Sequence, residues 1–129
     1  MLMLKVFLIE DSALLQELLT SMLSEVDGVE FCGCANGEKA ALEQLEQSPV
    51  DLVIVDIQLA EGSGIGVLQA LQARAASYGN PLKAVLTNYA HTAMRARCER
   101  LGTDAFFDKS LSINQLLDYV VDAVQAKSA

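Results

Sequence analysis

The sequence predicts an α/β fold, in which a parallel β-sheet lies between two layers of helices. Short apolar runs rich in Val, Ile and Leu alternate five times with longer segments that have helical periodicity. The apolar runs show little polar alternation, which is typical of strands buried on both faces. The chain has 129 residues, so we expect a single domain over residues 1–129.

The first half of the chain contains two strand–helix units and a third strand. These elements are predicted at 4–9 (strand), 12–25 (helix), 29–34 (strand), 36–47 (helix) and 51–55 (strand). The first helix has an apolar stripe made of Leu15, Leu18, Leu19, Met22 and Leu23. Asn36 is expected to cap the second helix, because its side-chain oxygen can accept hydrogen bonds from free backbone N–H groups. Pro49 ends that helix.

The second half continues the alternation after a glycine-rich loop. Its predicted elements are a helix that ends near residue 77, strands at 82–86 and 105–107, and helices at 92–101 and 111–126. Gly62, Gly64 and Gly66 resemble a phosphate-binding cradle, but this pattern is a weak signal and favours a turn and a helix start. Gly102 ends the fourth helix, and His91 is expected at its solvated start.

Composition excludes several classes of function. The net charge of −8 and the pI of about 4.4 argue against a nucleic-acid surface. Arg95, Arg97 and Arg100 form the one basic cluster in the sequence, and we interpret it as a solvated helix face. No apolar stretch has the length of a membrane span and the first residues lack the layout of a signal peptide, so we expect a cytoplasmic protein.

Three cysteines, an odd number, do not suggest a disulfide framework. Cys32 and Cys34 resemble half of a zinc site, but no second cysteine pair accompanies them. Alternate residues of a strand point to one face, so we expect these two side chains to pack together as small apolar groups.

Acidic residues follow two of the predicted strands. Glu10 and Asp11 come after the first strand and Asp56 comes after the third. Two sheet arrangements are common for such chains, and one is the flavodoxin-like order 2-1-3-4-5, which places ligands at the carboxyl ends of strands one and three. Thr87 directly follows the fourth predicted strand, and Lys109 lies two residues beyond the fifth.

The three carboxylates would repel one another if they met at that edge. At a separation of about 5 Å and an effective dielectric constant of 20, each pair costs roughly 3 kcal/mol. Either a cation such as Mg²⁺ offsets this repulsion or one acid stays protonated. Lys109 would add a positive charge. A carboxylate oxygen of Asp56 would then be able to attack phosphorus and form an aspartyl phosphate.

This set of residues resembles the response-regulator receiver domains of bacterial two-component signalling. The resemblance spans nearly the whole chain, and four motifs carry it in order. They are the acid pair of residues 9–12, the acceptor of 53–56 with the glycine of 63–65, the threonine of 85–87 and the closing lysine of 106–109. It implies a flavodoxin-like (βα)5 fold with the strand order 2-1-3-4-5.

The resemblance also implies roles for individual residues. Asp56 corresponds to the phosphoacceptor, and Thr87 and Lys109 correspond to contacts of the phosphoryl group. The Mg²⁺ ligands implied are Glu10, Asp11, Asp56 and the backbone carbonyl of Gln58. Thr87 and Phe106 occupy the switch positions. A receiver domain catalyses only its own phosphorylation and dephosphorylation, so no conventional enzyme activity is expected.

Several residues depart from the pattern of the family. Phe106 stands where a tyrosine is common, and therefore lacks a hydroxyl. Ala60 and Ser110 replace frequent prolines, and Asn88 replaces a small residue. Gln58 and Tyr89 flank the path of an attacking water.

Three other functions are compatible with parts of this pattern, and each meets an obstacle in the sequence. In an FMN-binding protein, Glu10 and Asp11 would repel the phosphate of the cofactor. In a phosphatase that uses Asp56, a second acid is needed two residues later, where this chain has Gln58. A receiver-like interaction module that works without phosphate usually has a damaged acid set, whereas this set is complete.

The resemblance implies protein partners. A histidine kinase or phosphotransfer protein would donate the phosphoryl group, and Leu14 is predicted to contribute to its docking because the core stripe of the first helix does not need it. The downstream protein is unknown. A homodimer through the fourth helix, fifth strand and fifth helix would pair Arg95 and Arg97 with Asp118 and Asp122.

Overall fold

Five parallel strands form one sheet in the computed structural model, which describes residues 2–128. The strands are β1 (Leu4–Ile9), β2 (Val29–Ala35), β3 (Leu52–Val55), β4 (Leu82–Thr87) and β5 (Ala105–Asp108). Their order in the sheet is β2-β1-β3-β4-β5, which confirms the predicted α/β fold and its flavodoxin-like strand order.

Helices cover both faces of this sheet. They are α1 (Ala13–Ser24), α2 (Glu38–Gln47), α3 (Gly64–Ala73), α4 (Thr92–Arg100) and α5 (Ile113–Ser128). Side chains of successive strand residues point to opposite faces, so each strand contributes to two cores. One core lies under α2, α3 and α4 and contains Ile9, Val53 and Val85. The other lies under α1 and α5 and contains Leu8 and Ile54.

The start of α2 differs from the prediction that Asn36 caps it. Gly37 occupies the cap position, and no side chain at that position forms a cap hydrogen bond. The carboxylate of Glu61 supplies the acceptor instead, since its Oε1 lies 3.0 Å from the backbone nitrogen of Lys39. The predicted cap is therefore wrong, because a residue distant in sequence takes its place.

The prediction that Cys32 and Cys34 share one face of the strand is also wrong. The pairing of β1 with β2 shifts by one residue, so that Val6 is opposite Phe31 and Phe7 is opposite Gly33. Cys32 is the extra residue of this bulge and is exposed, whereas Cys34 packs against the core under α1 and α5. Both thiols are free.

Two helix predictions need smaller corrections. The third helix ends at Ala73 rather than near residue 77, and a short 3₁₀ helix (Ala75–Tyr78) follows it. Leu18 belongs to the predicted core stripe of α1, yet almost half of it is exposed. Within residues 2–128, the structure contains no helix with the length and apolar character of a membrane span.

Candidate functional site

The carboxyl ends of four neighbouring strands bring the predicted site residues to one edge of the sheet. Glu10 directly follows β1, Asp56 follows β3, Thr87 ends β4 and Lys109 follows β5. Backbone hydrogen bonds fix these ends to one another. The Asp56 nitrogen donates to the Ile9 carbonyl at 2.9 Å, and the Lys109 nitrogen donates to the Thr87 carbonyl at 2.9 Å.

The edge has an unusual content of buried polar side chains. Across residues 2–128, the buried polar or charged residues are Glu10, Asp56 and Thr87, with exposures of 1%, 6% and 0%. All three lie at the carboxyl ends of strands. Burial of ionised groups is costly unless they are paired, so this concentration calls for a compensating charge.

The ammonium group of Lys109 supplies part of that charge. Its Nζ lies 2.7 Å from Glu10 Oε1 and 2.7 Å from Asp56 Oδ2, and 8% of its side chain is exposed. One cation therefore bridges two buried carboxylates. Asp11 adds a third carboxylate at the rim, so the cluster retains an excess of negative charge.

The three acids are close enough to share a metal ion. One carboxylate oxygen from each of Glu10, Asp11 and Asp56 lies within 4.8 Å of the others. Asp11 is exposed, so the cluster opens to solvent on that side. Mg²⁺ binds through a few carboxylates and retains several waters. A half-open cluster of hard oxygen donors fits that preference.

The surroundings shift the protonation of two members of the cluster. Burial raises the pKa of Glu10 above its usual value, although hydrogen bonds from Lys109 and from the Ser12 backbone oppose this effect. Burial alone would lower the pKa of Lys109, but its hydrogen bonds with Asp56 and Glu10 outweigh burial and raise it. The lysine therefore stays charged at neutral pH, and Glu10 holds a proton more readily than an ordinary glutamate does.

The start of α1 holds Glu10 in place. Ser12 donates its backbone N–H to Glu10 Oε2 at 2.9 Å, and the side-chain amide of Gln16 donates to the Glu10 carbonyl. Sequence reasoning missed Gln16. The available signal was its position one helical turn after Ser12, which places it on the helix face above the acid pair.

Thr87 and Tyr89 border the cluster on the β4 side. The Thr87 hydroxyl accepts a hydrogen bond from the Tyr89 backbone at 3.1 Å, so its own proton remains available to a further acceptor. The Tyr89 hydroxyl donates to Gln58 Oε1 at 2.8 Å. The exposed side chains of Gln58 and Tyr89 thus join the loop after β3 to the loop after β4 beside the acids.

The family model of the response regulator receiver domain matches residues 6–121. The chain belongs to this family. The match includes all the strand ends that form the cluster, and the predicted family is therefore confirmed.

Curated relatives extend beyond this receiver domain. A protein-glutamate methylesterase/protein-glutamine glutaminase of Anaeromyxobacter dehalogenans is 30% identical over 120 residues, which cover 82% of this chain and 32% of the relative. The probable C4-dicarboxylate response regulator DctR of Bacillus subtilis is 32% identical over 68 residues, which cover 53% and 30%. The chain thus matches about a third or less of the length of these relatives, and the match is to their receiver part.

Solved receiver domains share the fold. The receiver domain of the NarL regulator of Mycobacterium tuberculosis has a TM-score of 0.84 at 20% identity and covers 97% of this chain and 98% of its own. The response regulator domain of Thermotoga maritima CheB has a TM-score of 0.80 at 18% identity, with coverage of 96% and 95%. At these identities the likeness concerns the fold alone.

Two residues predicted for switching and docking lie outside the acid cluster of this receiver domain. Phe106 is half-buried on β5, and the guanidinium carbon of Arg95 lies 4.5 Å from its ring centroid. Both residues line a cavity of about 240 Å³ between α4 and β5. Leu14 lies on the first turn of α1 and is 78% exposed. The contact of Arg95 with Phe106 occupies a side chain that was predicted to pair with an acid of a second copy. The homodimer remains a prediction.

Proposed function

We propose that this receiver domain is a phosphorylation switch, which accepts a phosphoryl group on Asp56 and then changes its partner-binding face. The observation that supports the proposal most directly is the meeting of three buried polar side chains, Glu10, Asp56 and Thr87, with Lys109 at one sheet edge. Membership of the receiver family assigns the chain to phosphorylation-dependent signalling.

The two oxygens of Asp56 are proposed to have separate tasks. Oδ2 is held by Lys109 at 2.7 Å, so we assign the attack on phosphorus to Oδ1. A bond forms between Oδ1 and phosphorus while the bond between phosphorus and the donor's leaving group breaks. Lys109 and the Thr87 hydroxyl would hold the phosphoryl oxygens, since Thr87 ends the strand next to β3 and Lys109 contacts Asp56 directly.

Glu10, Asp11 and Asp56, together with the Gln58 backbone carbonyl, are the proposed ligands of Mg²⁺. The ion would neutralise the charge that accumulates on the transferring phosphoryl group. Glu10 is held by Ser12 and Gln16, so the chain itself fixes one wall of the metal site. Asp11 is exposed and leaves room for the waters that Mg²⁺ retains.

The signal is proposed to pass through Thr87 and Phe106. A phosphoryl group that draws the Thr87 hydroxyl toward itself would vacate space beside β4. Phe106 pairs with Val85 in the sheet and packs against the core under α2, α3 and α4. We therefore expect its ring to respond. The downstream partner would then recognise the altered face formed by α4 and β5.

Acetyl phosphate provides the direct test. Incubation of the wild-type chain with acetyl phosphate and Mg²⁺ is expected to add one phosphoryl group, seen by intact mass spectrometry. The same incubation with EDTA is expected to add none, because the carboxylates would then repel the donor. An unchanged mass under both conditions would support the alternative, a receiver-like interaction module that works without phosphate.

Docking of the phosphohistidine donor is proposed to involve Leu14. This exposed leucine lies one turn beyond the acid pair, and Leu18 and Leu111 are also exposed, at 48% and 82%. Leu14→Ala is expected to slow transfer from a phosphohistidine protein about tenfold, in the range of a moderate interface residue. Its rate with acetyl phosphate should stay at the wild-type value, because a small donor needs no docking surface.

Leu2→Ala is the matched control for this prediction. Leu2 is 59% exposed but precedes β1, at the opposite edge of the sheet. Equal transfer rates for wild type and Leu14→Ala would remove Leu14 from the docking surface. An equal loss in the Leu2 and Leu14 variants would show a general effect of lost surface leucines.

A further inference from the structure

Two glutamates cap each other's chain segments beside the candidate site. Glu61, in the loop before α3, receives two backbone N–H groups at the start of α2: its Oε1 accepts from Lys39 at 3.0 Å and its carbonyl accepts from Glu38 at 2.9 Å. Glu38, in α2, returns the contact, since its Oε1 accepts from the Ser63 backbone at 3.0 Å. Each segment thus supplies the acceptor that the other lacks.

The glycine-rich loop is shaped to receive the Glu38 carboxylate. A Cβ atom on Gly66 would overlap this carboxylate, and one on Gly62 would lie 2.5 Å from the Glu38 Cβ. The space that resembles a phosphate cradle in the sequence is therefore filled by an internal anion. This accounts for a motif that the phosphorylation chemistry does not use.

The hydrogen bonds between the Glu38 and Glu61 segments are connected to Asp56 through the backbone. Ser63 directly precedes Gly64, the first residue of α3, and a Cβ on Gly64 would overlap the carbonyl oxygen of Asp56. The Gly64 nitrogen donates to the Ile57 carbonyl at 2.8 Å. The start of α3 therefore lies in direct contact with the backbone that carries Asp56.

Contacts with the start of α2 also hold the loop that carries Gln58. The Ala60 nitrogen donates to the Asn36 carbonyl at 3.0 Å, and Gly37 forms a bridge with Glu61. Gln58 lies between these points and Asp56, and it forms a bridge with Ser63. The loop is thus fastened to the segment that begins α2 on the C-terminal side of the proposed carbonyl ligand.

We propose that Glu38 and Glu61 are positioning residues for the Asp56 site. They hold the loop after β3 so that Asp56 and the Gln58 carbonyl keep a geometry that suits Mg²⁺. The inference rests on the proposed function and deepens it, because it names side chains that act on the site without touching the reacting atoms.

A double-mutant cycle between Glu38 and Gly66 tests this inference. Glu38→Ala removes the carboxylate, and Gly66→Ala expels it by occupying its space. Each change is expected to weaken Mg²⁺ binding about tenfold, the usual loss when a group that supports a metal ligand is removed. The double variant should bind no more weakly than Glu38→Ala, because the added methyl group then meets empty space. NMR titration of the wild-type and variant chains with Mg²⁺ gives the dissociation constants.

Three further variants and a melting curve separate positioning from simple stabilisation. Glu43→Ala removes an exposed glutamate from the same helix and is expected to bind Mg²⁺ as the wild type does. Glu38→Gln keeps an acceptor for the Ser63 N–H and should retain most of the affinity. Glu61→Ala should weaken Mg²⁺ binding as Glu38→Ala does. All titrations are made at a temperature at which circular dichroism shows each variant to be folded.

The possible results distinguish this inference from the proposed function. Variants with lower melting temperatures but wild-type Mg²⁺ affinity would overturn the positioning role and leave a structural one. Losses that multiply in the double variant would show that Gly66 acts independently of Glu38 and would also overturn it. A wild-type chain that is not phosphorylated by acetyl phosphate and Mg²⁺ would remove the proposed function itself, and this inference with it.

Discussion

Asparagine in place of Asp56 is expected to reduce phosphorylation by acetyl phosphate below about one hundredth of the wild-type rate. The reason is that an amide oxygen is a poor nucleophile and the substitution removes the chemical step itself. Lys109 would keep its contact with Glu10 at 2.7 Å, so the loss would not depend on collapse of the cluster. Intact mass spectrometry after incubation with acetyl phosphate and Mg²⁺ measures the result.

Asp108→Asn provides the matched control at the same edge of the sheet. The Asp108 carboxylate accepts from the Ser110 backbone at 2.9 Å and from the Ser110 hydroxyl at 2.7 Å, contacts that an asparagine oxygen can retain. This variant is expected to be phosphorylated at the wild-type rate. A phosphoryl group that still appears on Asp56→Asn would mean that another side chain is the acceptor.

The cluster was predictable because its signals are local. Glu10, Asp56, Thr87 and Lys109 each end or directly follow a strand, and the carboxyl ends of neighbouring parallel strands must meet at one edge. The sequence therefore identified these positions without any knowledge of long-range contacts. The helical pattern of 92–101 likewise placed His91 at the start of α4, where its Nδ1 accepts from the Met94 backbone at 3.2 Å.

The parts that were not predictable depend on partners distant in sequence. Glu61 caps α2 from 22 residues beyond Lys39, so nothing in the local pattern around Asn36 reveals that the cap lies elsewhere. The exposure of Cys32 depends on a register shift opposite β1, where Gly33 adopts a φ of 141° that favours glycine. The rule that alternate residues share one face of a strand assumes a regular strand, and the rule fails at a bulge.

Methionine in place of Lys109 is expected to lower the free energy of unfolding by about 3 kcal/mol at pH 7 without Mg²⁺, the lower end for breaking a buried ion pair. The substitution leaves the carboxylates of Glu10 and Asp56 without the ammonium group that contacts both at 2.7 Å. Urea unfolding of the wild type and the variant measures the difference.

The loss should shrink as the pH falls from 7 to 5. Burial already raises the pKa of Glu10, and removal of the Lys109 hydrogen bond removes the main opposing effect. A carboxyl whose pKa is raised on folding stabilises the folded state most below its unfolded pKa of about 4.3, and this stabilisation is lost as the pH rises through the folded pKa. The variant therefore regains stability on acidification more than the wild type does.

Lys127→Met is the control that separates the loss of a buried ion pair from the loss of an exposed one. Lys127 Nζ also lies 2.7 Å from a carboxylate, Asp51 Oδ2, but about a third of each side chain is exposed. We expect this variant to lose less than about 1 kcal/mol. Burial raises the pKa of Asp51, but the hydrogen bond from Lys127 outweighs burial, and the pKa is lowered. The stability contributed by this pair is therefore lost only as the pH falls below about 4.

The two lysine variants are thus expected to respond differently to a change from pH 7 to pH 5. The cost of Lys109→Met should fall over this range, whereas the cost of Lys127→Met should stay constant. Glu10→Gln in the Lys109→Met background should recover part of the stability at pH 7, because it removes one of the two unpaired buried charges. A cost of Lys109→Met that is the same at both pH values would mean that Glu10 stays solvated, and the buried charge cluster would then lose its physical basis.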